Sequence, residues 1–246
     1  MGQIPEDALP DALAGLEQKV GRNRICLALP TINRALPRSR DWPALLKQLF
    51  AQGWRRWQIS NLGGLEMLAA AGAVPGNAWL SADWPLYACN QAAVQAALEL
   101  GLRRLTLSPE DIFSNWSALL GKLSDYLQVM AYSDVPLAIS AVCANASRLG
   151  HCPGPKNCDF SEFSLISRKN DHLLAINNDC QSVYLHKRPF NLGGRLAELR
   201  QHGARFFRAD FLWRNYAPTA VKAIWDELQA DRPNDQNWSA HLFTPQ

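Results

Sequence analysis

Long hydrophobic runs are missing from this chain. None approaches the roughly 18 apolar residues that cross a bilayer, so no transmembrane helix and no membrane partner are expected. The opening stretch, Met1 to Ala14, carries Glu6, Asp7 and Asp11 and has no basic start followed by an apolar core. It is not a secretory signal, and a reducing, cytoplasmic location is the expectation. No Gly-x-Gly-x-x-Gly follows an apolar strand, which removes the dinucleotide fingerprint. Neither Gly-x-Ser-x-Gly nor His-Glu-x-x-His occurs, so a serine-hydrolase elbow and a zinc-protease helix are both unsupported. No Cys-x-x-Cys pair occurs, which weighs against a zinc ribbon. Charge of one sign is also scarce. With 25 Lys and Arg against 22 Asp and Glu, the net charge of +3 is too mild to argue for nucleic-acid binding and does not oppose it.

What remains is an ordinary globular composition over 246 residues, 48% hydrophobic and 19% charged. Short apolar runs alternate with helical periodicity. Strands are expected near Ile25–Leu29, Arg56–Ser60, Ala78–Ser81, Arg104–Leu107, Leu127–Ala131, Ser182–His186 and Arg205–Asp210. Helices are expected near Pro43–Gln52, Leu62–Ala71, Pro85–Leu100, Pro109–Leu123, Gly194–His202 and Pro218–Gln229. One phrase recurs: Gly-Trp-Arg-Arg-Trp from Gly53, Gly-Leu-Arg-Arg-Leu from Gly101 and Gly-Ala-Arg-Phe-Phe from Gly203. Each reads as a helix stop, a basic turn and a buried strand, with the glycine supplying the left-handed residue that ends the helix. Repeated βα units without a dinucleotide fingerprint predict a TIM-like (β/α) barrel as a single domain over 1–246. About seven strands are legible where closure needs about eight, so the barrel is expected to be incomplete, completed by a missing N-terminal segment or a second barrel subunit. Residues 1–22 read as an N-terminal helix or linker. Residues 141–189 break the rhythm with a turn-rich knot and three short strands, and read as a small Cys-rich β insertion.

Four of the six cysteines fall in or beside that insertion: Cys143, Cys152, Cys158 and Cys180. Eight, five and twenty-one residues separate them in turn. An iron–sulfur cluster tolerates such uneven spacing, with three ligands from one loop and a fourth from elsewhere. A zinc ion and separate buried thiols stay open on the residues alone. Cys26 and Cys89 lie in βα elements and read as small core residues.

Several phrases carry a resemblance. They are Ile25-Cys-Leu-Ala-Leu-Pro, Ile59-Ser-Asn-Leu-Gly-Gly-Leu-Glu-Met-Leu, Leu80-Ser-Ala-Asp-Trp-Pro-Leu-Tyr-Ala-Cys-Asn, Leu105-Thr-Leu-Ser-Pro-Glu-Asp, Val129-Met-Ala-Tyr-Ser-Asp-Val-Pro-Leu-Ala-Ile-Ser and Asn178-Asp179-Cys180. From about Ile25 to Leu228 the chain resembles the later part of the peptidase U-32 family, the collagenase-like proteases. That resemblance implies a barrel, and for several members a four-cysteine [4Fe–4S] cluster. Those members support oxygen-independent hydroxylation of an RNA base or a quinone precursor, with prephenate implied as oxygen donor in some. Carried over, Cys143, Cys152, Cys158 and Cys180 are the implied ligands, and RNA or an aromatic small molecule the implied partner. The chain departs from the family where a Gly-x-Leu-Cys segment is usual: Ser140-Ala141-Val142 precedes Cys143. A collagenase-like peptidase and a non-catalytic subunit of a larger barrel protein are the alternatives.

Polar residues at expected strand ends complete the candidates: Asn61, Asp83, Ser108, Glu110, Asp111, Tyr132, His186, Lys187, Arg188, Asp210 and Arg214. In a barrel these ring the catalytic mouth. Ser108, Asp111 and Asn61 read first as helix caps. Asp83, Lys187, Arg188 and Asp210 are the catalytic candidates. Lys187-Arg188 suits an anionic substrate or a cluster's negative charge, and Asp210 suits a pairing with Arg214. Trp84 and Trp213 could stack on a flat base.

Overall fold

The computed structural model describes residues 9–32, 41–154, 156–178, 180–233 and 242. The first eight residues, Pro155, Asp179 and His241, on which some expectations fell, lie outside them. The fold is mixed α/β, with a curled parallel sheet corresponding to half of a β/α barrel. Among the described residues no helix is long and apolar enough to cross a membrane.

The chain divides into two compact units, and the division falls within one strand, between Val129 and Met130. The first unit takes the residues before that point together with Arg200–Phe206. Helix α1 (Leu9–Val20) precedes β1 (Leu27–Ala28). Three βα units follow: β2 (Arg56–Ile59) after α2 (Trp42–Ala51), β3 (Trp79–Ala82) after α3 (Gly63–Ala70), and β4 (Leu102–Thr106) after α4 (Gln91–Glu99). Then come α5 (Phe113–Leu123) and β5 (Leu127–Ser133). The strands pair in parallel in the order β1-β2-β3-β4-β5. On one sheet face Trp57, Ile59, Leu80, Ala82 and Leu105 are each at most 1% exposed. Helix α3 approaches that face so closely that a Cβ on Gly64 would come within 2.9 Å of Ile59.

The recurrent glycines end helices as expected. Gly53, Gly101 and Gly203 all have positive φ, at 95°, 89° and 102°. At Gly101 a Cβ would also collide with the Pro75 ring. Gly101→Ala is therefore expected to cost about 1–3 kcal/mol of stability, read as a lower urea midpoint. An unchanged midpoint would mean that this turn is not under the steric constraint its φ implies.

The second unit takes Met130–Leu199 and the residues from Phe207 onward. It holds a four-stranded antiparallel sheet in the order β6-β9-β8-β7. Its members are β6 (Pro136–Ser140), β7 (Glu162–Ile166), β8 (His172–Asn178) and β9 (Gln181–His186), with α6 (Ala144–Leu149) after β6. The end of β5 pairs antiparallel with β10 (Phe190–Asn191). After α7 (Leu196–Gln201), β11 (Phe206–Ala209) also pairs with β5, and α8 (Pro218–Gln229) closes the element order.

Four sequence expectations need correction. The run Ser182–His186, counted among the barrel strands although it falls in the expected insertion, lies in the antiparallel sheet; the other six expected strands form the curled sheet, whose seventh member is the short antiparallel β10. That sheet begins at Pro136, because Ala138, Ile139 and Ser140 pair with β9. The helix expected from Pro109 starts only at Phe113, with Ile112 at its N-cap. Likewise the helix expected from Pro85 splits into a short 3-10 turn, Trp84–Leu86, and α4. In both places the proline stands in a turn before the helix rather than at its first position.

Candidate functional site

Three of the four candidate cysteines, Cys143, Cys158 and Cys180, lie on segments that meet at one end of the antiparallel sheet. β8 and β9 join at a tight turn where Asn178 registers with Gln181, and Cys180 sits in it with a left-handed φ of 63°. Asn177 fixes this turn. Its Oδ1 accepts from the Cys180 N–H at 3.0 Å, and its Nδ2 donates to the Phe160 carbonyl at 2.9 Å. The segment that follows Cys158 is thus tied to the turn that carries Cys180. On the other side, Ser140 at the end of β6 registers with Ser182. Fully buried Ser182 accepts from the Ala144 N–H at 2.7 Å, which anchors the residue after Cys143. Cys143 and Cys158 both pack against Ala144, Phe160 and Ala175. Asn145, 1% exposed, directs its amide toward the Cys158 sulfur at 4.0 Å. Cys152 is exposed in the loop between Gly150 and Gly154, both with positive φ.

No disulfide joins any of the six cysteines. Among the described residues no group of three or more His, Cys, Asp or Glu already stands at ligating separation. The donor set is nevertheless of one kind. It comprises four thiols, two of them exposed, and soft thiolate sets select zinc, copper(I) or iron–sulfur clusters over hard cations. The residues therefore fit such a group in donor chemistry.

Lys187 and Arg188 do not share this end. They follow β9, whereas Cys180 precedes it, and seven residues of extended chain span roughly 20 Å. They form an exposed turn in which His186 Nδ1 accepts from the Arg188 N–H at 3.1 Å. Asp83 caps the turn Trp84–Leu86, accepting from the Trp84 N–H at 2.8 Å. Asn61 accepts from the Gly64 N–H at 3.0 Å at the start of α3, as a cap should. Ser108 accepts from the Glu110 N–H at 3.2 Å, and Asp111 from the Ile112 N–H at 2.8 Å, both ahead of the helix rather than as its capping pair. Trp84 is 8% exposed and packs edge-on to Tyr87, so it is no stacking platform. Half-buried Trp213 packs against Ile176, Val183 and Leu185.

Asp210 and Arg214 were expected to pair with each other, and they do not. Arg208 Nη2 lies 2.6 Å from Asp210, while Arg214 Nε lies 2.8 Å from Asp134. Asp134 was not among the candidates, yet it anchors the most elaborate polar group in this unit. Its side chain is fully buried, and Tyr216 donates to its Oδ2 at 2.7 Å. The Tyr216 and Tyr132 hydroxyls are 3.0 Å apart. Arg214 Nη2 also donates to the His186 carbonyl at 2.7 Å. Phe211 stacks on Tyr132 with centroids 5.3 Å apart. Burial pushes the Asp134 carboxyl above its usual range, although Tyr216 and Arg214 pull the other way. Burial likewise raises both tyrosines, and Tyr216 is raised further by its bonds to Tyr132 and Asp134. The sequence signal was an acid directly after the β5 run, in Tyr132-Ser133-Asp134.

Two arrangements bear on a hydrolase. Ser117 Oγ and His202 Nδ1 are 2.6 Å apart on an exposed helical surface, but among the described residues no carboxylate orients the ring, as a triad requires. At Cys89, burial raises the thiol pKa, with Asp111 and Glu110 adding to it. Neighbouring Tyr87, bonded to Glu110 at 2.9 Å, is pushed up to about 12, chiefly by burial. A thiol held in its protonated form is a poor nucleophile.

No family model, no curated protein and no solved structure matches the chain.

Proposed function

We propose that Cys143, Cys152, Cys158 and Cys180 hold an iron–sulfur cluster, and that the protein supports oxygen-independent hydroxylation of an RNA base or a similar aromatic substrate. The observation that carries the first half is that Asn177 and Ser182 tie the segments of Cys143, Cys158 and Cys180 together at one end of the antiparallel sheet. The second half rests on the resemblance to the peptidase U-32 family in the phrases from Ile25 to Leu228.

A bound cluster supplies electron transfer or Lewis-acid chemistry beside the sheet. The residues of the chain set its frame. The left-handed backbone at Cys180 presents that thiol from a two-strand turn, and Asn177 holds the turn. The Ser182 hydroxyl fixes the first turn of α6 behind Cys143. Gly150 and Gly154 flank the exposed loop that must bring Cys152 inward. Buried Asn145 offers an amide N–H to the Cys158 sulfur, the kind of hydrogen bond that tunes a cluster's potential.

Anaerobically purified protein is expected to be brown, with broad absorbance near about 400 nm and iron and acid-labile sulfide in equal amounts. Cys152→Ala and Cys158→Ala should each remove most of that absorbance. A colourless protein with one equivalent of zinc would assign the same cysteines to a structural metal and end the hydroxylase reading. The peptidase reading has less support, because the Ser117–His202 pair lacks its third member. A second reading, one part of a heteromeric barrel, is favoured by the outer edge of the parallel sheet. There β1 is only two residues long and pairs with β2 alone among the described strands. Co-purification with a second barrel subunit would support it.

A further inference from the structure

The parallel sheet has one face packed under helices and a second face of different chemistry. Arg56 registers with Trp79, Gln58 with Ser81, and Ser81 with Arg104. Registered residues on parallel strands share a face, as do residues two apart on one strand. Arg56, Gln58, Trp79, Ser81 and Arg104 therefore lie together on the face opposite Trp57, Ile59 and Leu80. In a closed barrel this inner face is filled by branched apolar residues. Here it carries two arginines, both half-buried.

Neither arginine has a carboxylate partner among the described residues. The Arg56 guanidinium lies 4.0 Å from the Trp79 ring centroid, and the Arg104 guanidinium lies 3.3 Å from that of Phe206. Stacking occupies the flat faces of both groups and leaves their N–H edges for other partners. Arg104 Nε is buried without a hydrogen-bond partner. The two cations are close enough to disfavour each other. Burial and then the Arg56 charge lower the Arg104 pKa, and the only acid opposing this, Asp125, is engaged by Arg205. Two like charges held together, partly desolvated and without a counter-charge, destabilise the sheet unless an anion joins them.

We propose that Arg56 and Arg104 form a binding site for a phosphomonoester group, on this second face of the parallel sheet. The occupant follows from charge and shape. A phosphomonoester carries close to two negative charges at neutral pH, which balances two guanidiniums, whereas a monocarboxylate leaves one uncompensated. Its several oxygens accept from two forked donors at once. Trp79 and Phe206 hold the forks in place, Gln58 adds a further donor on the same face, and Ser81, 4% exposed, floors the row. The site lies in the first unit and uses none of the cysteines, so it stands or falls separately from the cluster.

The test is titration of the purified chain with inorganic phosphate near neutral pH, followed by calorimetry and thermal melting, with chloride and malonate at matched ionic strength. Phosphate should raise the melting temperature with concentration, and malonate and chloride should do so far less. Arg56→Gln and Arg104→Gln should each weaken phosphate binding at least about 10-fold, the worth of a charge-assisted hydrogen-bond pair. Both should melt higher than the parent in low salt without phosphate, because the repulsion is gone. Arg104→Lys keeps the charge and the fold and removes the fork, so it should lose affinity with little change in melting. Equal shifts with phosphate and chloride, equal affinity for malonate, or variants that bind phosphate as tightly as the parent would each overturn the assignment.

Discussion

Arg214→Ala is expected to lower the unfolding free energy by about 3–5 kcal/mol at neutral pH, because it strips the cation from a fully buried carboxylate. Asp134 would keep the Tyr216 hydroxyl and the backbone N–H of residue 214 as partners, and no cation. The pH dependence has a definite sign. Burial already holds the Asp134 pKa above its ordinary value, and Arg214 is one of the groups that limits the rise. Removing Arg214 raises the folded-state pKa further. A carboxyl whose folded pKa exceeds its unfolded value of about 3.9 binds more protons when folded. Its contribution to stability is fully present below that unfolded value and is lost as pH rises through the folded pKa. The variant should therefore regain stability on acidification from pH 7.5 toward pH 5, relative to the parent at each pH. Asp134→Asn still accepts from Tyr216 and should remove this slope, and Asp134→Asn/Arg214→Ala should be more stable at pH 7.5 than Arg214→Ala alone. Urea midpoints across pH read all three. A pH-independent loss in Arg214→Ala would mean that the buried charge is not the cause.

Trp116→Ala is expected to cost about 3–5 kcal/mol as well, through a different route. The indole is fully buried on α5, and its Nε1 donates to the Ser108 carbonyl at 3.1 Å. The substitution empties a large volume and removes one of two donors to the carbonyl of 2%-exposed Ser108, which keeps the Asp111 N–H at 3.2 Å. Trp116→Phe separates the two parts. It retains most of the apolar volume and should lose about 1–2 kcal/mol, the hydrogen-bond share plus a small void. The Ser108–Ile112 segment leaves the C-terminal end of β4, the edge where barrel proteins place ligands. The backbone amides of Glu110, Asp111 and Ile112 should thus exchange faster in Trp116→Phe while those of β3 stay protected. Equal midpoints for the alanine and phenylalanine variants would show that the packed volume contributes little.

Much of the secondary structure was legible because its signals are local. Gly53, Gly101 and Gly203 take positive φ after their helices, and no neighbour in space is needed to demand that. The runs at Arg56, Trp79, Leu102 and Leu127 pair in parallel as the βα rhythm implied. Starts of elements were less legible where a proline admits two roles. Pro85 and Pro109 suit a first helical turn and a preceding turn equally, and packing chose the latter at both. The run Ser182–His186 has the apolar content of a barrel strand. Only its registered neighbours, Ile176 on one side and Ile139 on the other, place it in the antiparallel sheet.

The candidate site divides in the same way. Four clustered cysteines announce a soft-donor set from composition and spacing alone, since a thiol's chemistry travels with the residue. Which segments meet depends on Asn177 and Ser182, whose ordinary amide and hydroxyl carry no signal until the strands pair. Lys187 and Arg188 stand seven and eight residues from Cys180, close in sequence and a strand's length apart in space. Asp210 and Arg214 are near neighbours in the chain, yet Arg214 reaches Asp134. The amino-acid order by itself determined the element types, the helix stops and the identity of the sulfur donors, because these follow from backbone sterics, periodicity and side-chain chemistry within a few residues. Tertiary structure alone decided the partner of buried Asp134 and left Arg56 and Arg104 on one face without an acid among the described residues. Electrostatic pairing acts through distance in space, and sequence separation says little about that.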